Sequence, residues 1–479
     1  MDRMGPLDAE FLHIEDGVSH MHIAGCSLFE GPPPPFPEVL EWFASKLPEL
    51  PRYRQVVRFV PFGLGRPVWV DDPHFNLQYH VRHTALPEPG GEEDLCRLVG
   101  RLMSQELDRN RPLWEAWIVE GLTDDRWAIV SKVHHCLADG ISGTDLMEAL
   151  LDKSPDAELV PPPPWRPEPE PSGPAMIIDA FGGLIGDVAD RVRTVPDLVR
   201  DPGRVVADLR STASGLLALG EQMSPTPQTS IDGPIGPHRR WATTTASLAE
   251  IKEVRRGLAG TVNDVVLAAI TRGFRDLIES RGEDPEELTI RTLVPVSVRT
   301  ADQHGMPDNR VSAIFAELPV AIPDPVARLE AIKSQMAALK DSHQADAGEV
   351  LTTLGTFAPP MLLSFGTHSI VRYMSRRPQR SINTVTTNVP GPQHPLYARG
   401  REMLEYHPFV PLAQGVRVGV AILSYNGKVS FGVTGDFDTA PDIDVLCRGI
   451  DDGLAELLEL VRPSATGHDS SEATEAGVR

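Results

Sequence analysis

Apolar and polar residues alternate with two different periods along this chain, and the change of period marks off strands from helices. In Arg126–His134 the side chains of Trp127, Ile129, Ser131 and Val133 fall on one side of an extended segment, the period-2 pattern of a strand. Residues 114–120 read as its partner, with a turn around Thr123-Asp124-Asp125 between them. Residues 19–29 read as a further strand, 36–47 as an amphipathic helix behind a proline run at 32–35, and 94–107 as another helix. Ser142 stands where it can cap a short helix ending near Leu151.

The pattern breaks at residues 160–174, a proline-rich stretch that is semi-extended and poor in backbone donors. Residues 175–223 then carry helix-length apolar segments, interrupted at Gly182-Gly183 and Pro196, and read as a helical crossover with an exposed apolar side. Alternation resumes near residue 236. Ser247 with Glu250 reads as a capping box, and Asn263 as the cap of a helix over 264–278. Strands are predicted at 289–298, 311–320 and 382–388, with a helix at 325–339. Residues 416–425 and 428–433 form a hairpin closed by Asn426-Gly427, a pair that tolerates positive φ at both turn positions. The tail beyond 463 is small and polar, and disorder is expected there. The chain therefore divides into a first domain at 1–160, a proline-rich linker and crossover at 161–235, a second domain at 236–462 and a tail at 463–479. Both domains read as α/β with mixed sheets.

A length of 479 residues exceeds one ordinary core, which supports two domains. The 41% hydrophobic and 23% charged content is that of a globular protein. A formal charge of −22 argues against nucleic acid as a partner and against electrostatic docking on anionic lipid. Apolar contact is left as the route to any membrane. Four scattered cysteines (Cys26, Cys96, Cys136 and Cys447) lack metal-ligand spacing and point to a reducing compartment. No signal-peptide core and no spanning segment is visible, so a cytoplasmic protein is expected.

Chemistry concentrates where the strand Arg126–His134 ends. The run His134-His135-Cys136-Leu137-Ala138-Asp139-Gly140 fits His-His-x-x-x-Asp-Gly. Successive strand side chains point to opposite faces, so His134 and His135 cannot both reach one substrate. His135 is the candidate general base, since imidazole suits proton removal near neutral pH, and His134 is a supporting member of the motif. Asp139 reads as a structural carboxylate with Arg299 as its candidate partner, and Gly140 permits close backbone approach. Cys136 is read as a small core residue rather than a nucleophile. No metal site is expected, because the cysteines lack metal-ligand spacing and no His-x-x-x-His pair joins the motif. No Gly-x-Ser-x-Gly elbow occurs, which weakens a serine-hydrolase reading.

With this motif in place, the chain resembles the bacterial wax ester synthase/acyl-CoA:diacylglycerol acyltransferase family, part of the wider group that shares His-His-x-x-x-Asp-Gly. Matching segments include Gly-Leu-Gly-Arg-Pro-Val-Trp at 63–69, Leu-Asp-Arg-Asn-Arg-Pro-Leu-Trp-Glu at 107–115 and Gly-Pro-Ile-Gly at 233–236. Farther on come Asn263-Asp264, Pro-Val-Ser-Val-Arg at 295–299 and Thr-Asn-Val-Pro-Gly-Pro at 387–392. The resemblance implies two chloramphenicol-acetyltransferase-like domains joined by a helical crossover, with the active site at their interface. It implies long-chain acyl-CoA as donor substrate, diacylglycerol or a long-chain alcohol as acceptor, a ternary complex, and no cofactor. It places Asn263 and Asp264 near the site, while Asn388 is a candidate to face the cleft and assist the oxyanion. An apolar stretch at 357–365, followed by Arg372, Arg376, Arg377 and Arg380, reads either as a core helix with a basic end or as a patch meeting the inner membrane or a lipid droplet. The competing functions are acyl transfer to another hydroxyl or amine, and a non-catalytic lipid-binding paralogue.

Overall fold

In the computed structural model, the described residues are 1–138, 143–182, 226–297, 311–341 and 381–462. Two six-stranded mixed sheets organise them. The strands of these sheets are β1 (His22–Glu30), β2 (Val81–Ala85), β3 (Trp114–Leu122), β4 (Arg126–His134), β5 (Arg239–Ser247), β6 (Ile290–Ser297), β7 (Val311–Leu318), β8 (Thr384–Pro390), β9 (Tyr397–Ala398), β10 (Arg401–Phe409), β11 (Val418–Tyr425) and β12 (Lys428–Asp436). The first sheet has the order β9-β10-β1-β4-β3-β2, and the second β7-β6-β8-β11-β12-β5. In the first sheet β2 runs parallel to β3, and in the second β8 runs parallel to both β6 and β11.

The predicted elements form close to where the hydrophobic pattern places them. The turn between β3 and β4 uses positive φ at Asp124 and Asp125, and that between β11 and β12 uses it at Asn426 and Gly427. Residues 19–21 are not strand; β1 begins at His22. The period-2 reading of β4 is seen directly. Trp127, Ile129 and Val133 pack in one core with Trp114, Ile118 and Leu12, while Ala128 and Val130 face the other way. The helices are α1 (Pro6–Ile14), α2 (Phe36–Lys46), α3 (Glu92–Met103), α4 (Gly143–Leu150), α5 (Leu248–Gly257), α6 (Val262–Ser280), α7 (Pro325–Asp341) and α8 (Ile443–Val461).

The two halves are interlocked through β9 and β10. These strands come from the later half of the sequence but extend the first sheet, with β10 antiparallel to β1. Two glycines make the crossing possible. A Cβ on Gly25 would lie 1.8 Å from the Tyr406 hydroxyl, and one on Gly432 would lie 1.7 Å from the Pro408 carbonyl oxygen. Trp241 closes the seam, donating its indole N–H to that same carbonyl at 3.2 Å.

Two cap readings change. Thr261, not Asn263, caps α6: its hydroxyl accepts the Asp264 N–H, and the Asp264 carboxylate accepts the Thr261 N–H at 2.8 Å. Thr has the side-chain oxygen at the right offset, which moves the helix start two residues earlier. Ser247 caps α5 by accepting the Glu250 N–H, but Glu250 does not close the box; it pairs with Arg462 instead. Most of the predicted crossover, the stretch 357–365 with its four arginines, and the tail lie outside the described residues.

Candidate active site

His135 follows the last residue of β4 and opens a short 3-10 turn, His135–Ala138. Its N–H donates to the Met21 carbonyl at 2.8 Å, and the His134 N–H to the Leu113 carbonyl at 3.0 Å, so the strands on both sides hold the turn. The two imidazoles diverge as strand geometry requires. His134 is buried, and its Nδ1 accepts the Cys136 N–H at 3.1 Å. The His135 ring is half-buried and stacks on Phe11 of α1, with ring centroids 3.9 Å apart and planes inclined by 26°. Cys136 is fully buried in the first core, and burial pushes its thiol well above the ordinary range. That thiol is a packing group, not a thiolate.

Burial lowers the His135 imidazole to about 4, and the neighbouring His134 adds to the effect, while contact with its own main chain works in the opposite direction. The ring is therefore neutral across the physiological range, ready to accept a proton. Its Nδ1 is buried without a partner of good hydrogen-bonding geometry among the described residues.

Behind the turn lies a buried polar cluster that the sequence reading missed. The Glu15 side chain, 7% exposed, sits 3.2 Å from His22 Nε2 and 3.5 Å from His134 Nε2, and also pairs with Arg109. Burial pushes the Glu15 carboxyl up, but His134, His22 and Arg109 outweigh it and hold the group far below the ordinary carboxylate range. His22 lies directly opposite His134 in the β1–β4 register, and burial lowers it to about 3. Beneath them Lys132, completely buried, donates to the Leu102 carbonyl at 2.9 Å and also to that of Gln105. It satisfies the carbonyl end of α3, and burial lowers it to about 8. The signal for this cluster was present as a run of acid and imidazole, Glu15, His20 and His22, but sequence spacing does not show that it closes on His134.

The remaining candidates separate. Asn388 of β8 donates to the Asn263 side chain at 3.0 Å, so these two come together. Next to Asn388, Val389 packs against the first core, the same extended core that includes Cys136 and Leu137. Asp264 is buried and engaged in the α6 cap. Asp139, Gly140 and Arg299 lie outside the described residues. The seam between the halves also holds a cavity of about 260 Å³ and a groove of about 1060 Å³, the latter running between α3 and β5. His135 lines neither of them.

Two family profiles cover most of the chain. "Wax ester synthase/diacylglycerol acyltransferase catalytic domain" matches residues 4–266, and "WS/DGAT C-terminal domain" matches 308–458. This chain belongs to the wax ester synthase/diacylglycerol acyltransferase family. A probable diacylglycerol O-acyltransferase of Mycobacterium tuberculosis is 37% identical over 462 residues, covering 96% of each chain. A putative diacylglycerol O-acyltransferase of Mycobacterium bovis aligns with the same identity and coverage. Among solved structures, the wax ester synthase/diacylglycerol acyltransferase of Marinobacter aquaeolei VT8 superposes with a TM-score of 0.67 at 26% identity, covering 96% of this chain and 99% of that one. The first condensation domain of the CDA synthetase superposes with a TM-score of 0.56 at 15% identity, covering 94% and 93%, and shares the fold. The two mixed sheets are thus those of the chloramphenicol-acetyltransferase-like, condensation-domain architecture expected from the family.

Proposed function

We propose that this chain transfers a long-chain acyl group from acyl-CoA to diacylglycerol, with long-chain alcohols as a second class of acceptor. Membership of the family along nearly the whole chain carries the reaction class; the half-buried, neutral imidazole at the end of β4 supports His135 as its base. His135 takes the proton of the acceptor hydroxyl as that oxygen attacks the thioester carbonyl carbon. The tetrahedral oxyanion collapses, the C–S bond breaks, and the imidazolium gives its proton to the departing CoA thiolate, which restores the neutral base. Because a thiolate leaves readily, the scheme uses acyl-CoA as substrate and invokes no metal or other cofactor.

Asn388, held by Asn263, is the candidate donor toward the oxyanion. Asp139 as a brace with Arg299, and Gly140 as the position that permits close approach, remain part of the proposal from the motif alone. No helix among the described residues is long and apolar enough to cross a membrane. Access to lipid acceptors is accordingly assigned to peripheral apolar contact with the inner membrane or a droplet.

The test is an assay with labelled acyl-CoA against diacylglycerol, hexadecanol and a small amine. Product from diacylglycerol is expected, with lesser product from hexadecanol and none from the amine. Substitution His135→Ala should remove at least about 100-fold of the rate, whereas Cys136→Ala should stay within a few-fold of wild type. A folded His135→Ala enzyme at full rate would overturn the role of the base, and no product from any acceptor would favour a lipid-binding protein.

A further inference from the structure

No carboxylate among the described residues orients the His135 ring, which meets its own main chain without good hydrogen-bonding geometry. A half-buried imidazole held by that contact alone keeps torsional freedom at the expense of near-attack geometry. The further contact that restrains it is aromatic. Phe11 stacks on the ring at 3.9 Å, a geometry that leaves little freedom for rotation.

Phe11 does not stand alone on its helix. Asp8, Phe11 and Glu15 recur at helical spacing, so they fall on one side of α1 and its end. Leu12, on the adjacent face, packs in the first core. Glu15 lies just past the last residue of α1, where its N–H donates to the Phe11 carbonyl at 3.2 Å. From there its carboxylate meets His134, whose Nδ1 in turn accepts the Cys136 N–H. An accepting Nδ1 leaves the His134 proton on Nε2, the nitrogen that faces Glu15. The residues before and after His135 are thereby tied to the same helix that supplies the stacking ring.

We propose that α1 is a clamp on the catalytic turn, with Phe11 and Glu15 as positioning residues for His135. Phe11 holds the plane of the imidazole and keeps water from one of its faces. Glu15 holds the flanking chain through His134 and His22. The inference rests on the reading of His135 as the base, but its physical content, the restraint and desolvation of one ring, can be measured without turnover.

Among the described residues, the titratable groups packed around the turn are Asp8 and Glu15 from the α1 segment, His22 from β1, His134 from β4 and Arg109 from the loop before β3. His13 of α1 faces elsewhere, toward Phe59. Of the groups around the turn, His134 is the one that acts on the His135 ring, and desolvation outweighs it. Removing the apolar cover should therefore move the titration of His135 in a direction set by water rather than by charge.

The experiment is an NMR titration of the His135 imidazole, with kcat and KM measured in parallel, in wild type, Phe11→Ala, Phe11→Leu and Phe11→Tyr. In Phe11→Ala the His135 midpoint should rise from about 4 toward the ordinary value of 6.5. The kcat should fall by about 10- to 100-fold with KM nearly unchanged, since the loss is one of orientation. Phe11→Tyr keeps the flat ring and should restore both readouts. Phe11→Leu keeps apolar volume without the ring, and should lower kcat even if Phe11→Ala fails to fold. Glu15→Gln, which keeps shape and removes charge, should lower kcat by about tenfold with KM unchanged. A folded Phe11→Ala or Phe11→Leu protein with wild-type midpoint and wild-type kcat would overturn the clamp. If His135→Ala proves active while the Phe11→Ala midpoint still moves, the assignment of the base fails and the restraint of the ring stands.

Discussion

At the scale of single residues, the end of β4 turns two adjacent imidazoles to opposite sides, and the proposed base is the one that keeps part of its surface open. His134 turns inward to bond Cys136 and face Glu15, whereas His135 keeps part of its surface open beside Phe11. A base lowered to about 4 by burial stays neutral far below physiological pH. The pH profile of kcat/KM should consequently be flat through the neutral range, with its acid limb near 4 rather than at 6.5. Initial rates across that range check this, and an acid limb at the ordinary imidazole value would show that water reaches the ring freely. The divergence of His134 and His135 was legible in the sequence because adjacent strand residues must point apart. Glu15 was not, since nothing in the spacing of Glu15, His22 and His134 reveals that three separate segments meet.

At the scale of elements, caps and turns decide where the helices begin and how the strands pair. The start of α6 matters most to the site, because Asn263 lies in its first turn and must point at Asn388. Thr261 sets that start. Substitution Thr261→Ala should lower stability by about 1 kcal/mol, the usual worth of a capping side chain, as read from the urea midpoint. The Asn263–Asn388 bond should weaken with it, so a reduced kcat is expected to accompany the loss. The sequence pattern was enough to locate α6 within two residues but favoured Asn263 as its cap. Both residues are competent caps by type, and only the backbone conformation at Thr261, extended with φ −108° and ψ 162°, distinguishes them. The hairpin turn at Asn426-Gly427 was readable outright, because so few residue pairs accept positive φ at both positions.

At the scale of the whole molecule, buried imidazoles tie stability to pH. His22, His80 and His135 are all lowered by burial, to about 3, 4 and 4. Each therefore binds protons more readily in the unfolded chain than in the fold, so stability rises with pH across the window between those values and the ordinary 6.5. Their contribution is complete above about 6.5 and is lost as the pH falls toward 4. Urea unfolding should show a lower midpoint at about pH 5 than at about pH 7.5; equal midpoints would mean that the rings are protonated inside the fold. The sequence by itself determined the alternating elements, the two α/β halves and the opposite facing of His134 and His135, because periodicity and turn chemistry are local and a strand end separates two adjacent imidazoles. Only the tertiary structure decided that β9 and β10 cross into the first sheet, that Glu15 closes on His134, and that Phe11 covers His135. Those contacts join segments far apart in the chain, and their partners are selected by burial and shape after the local elements have formed.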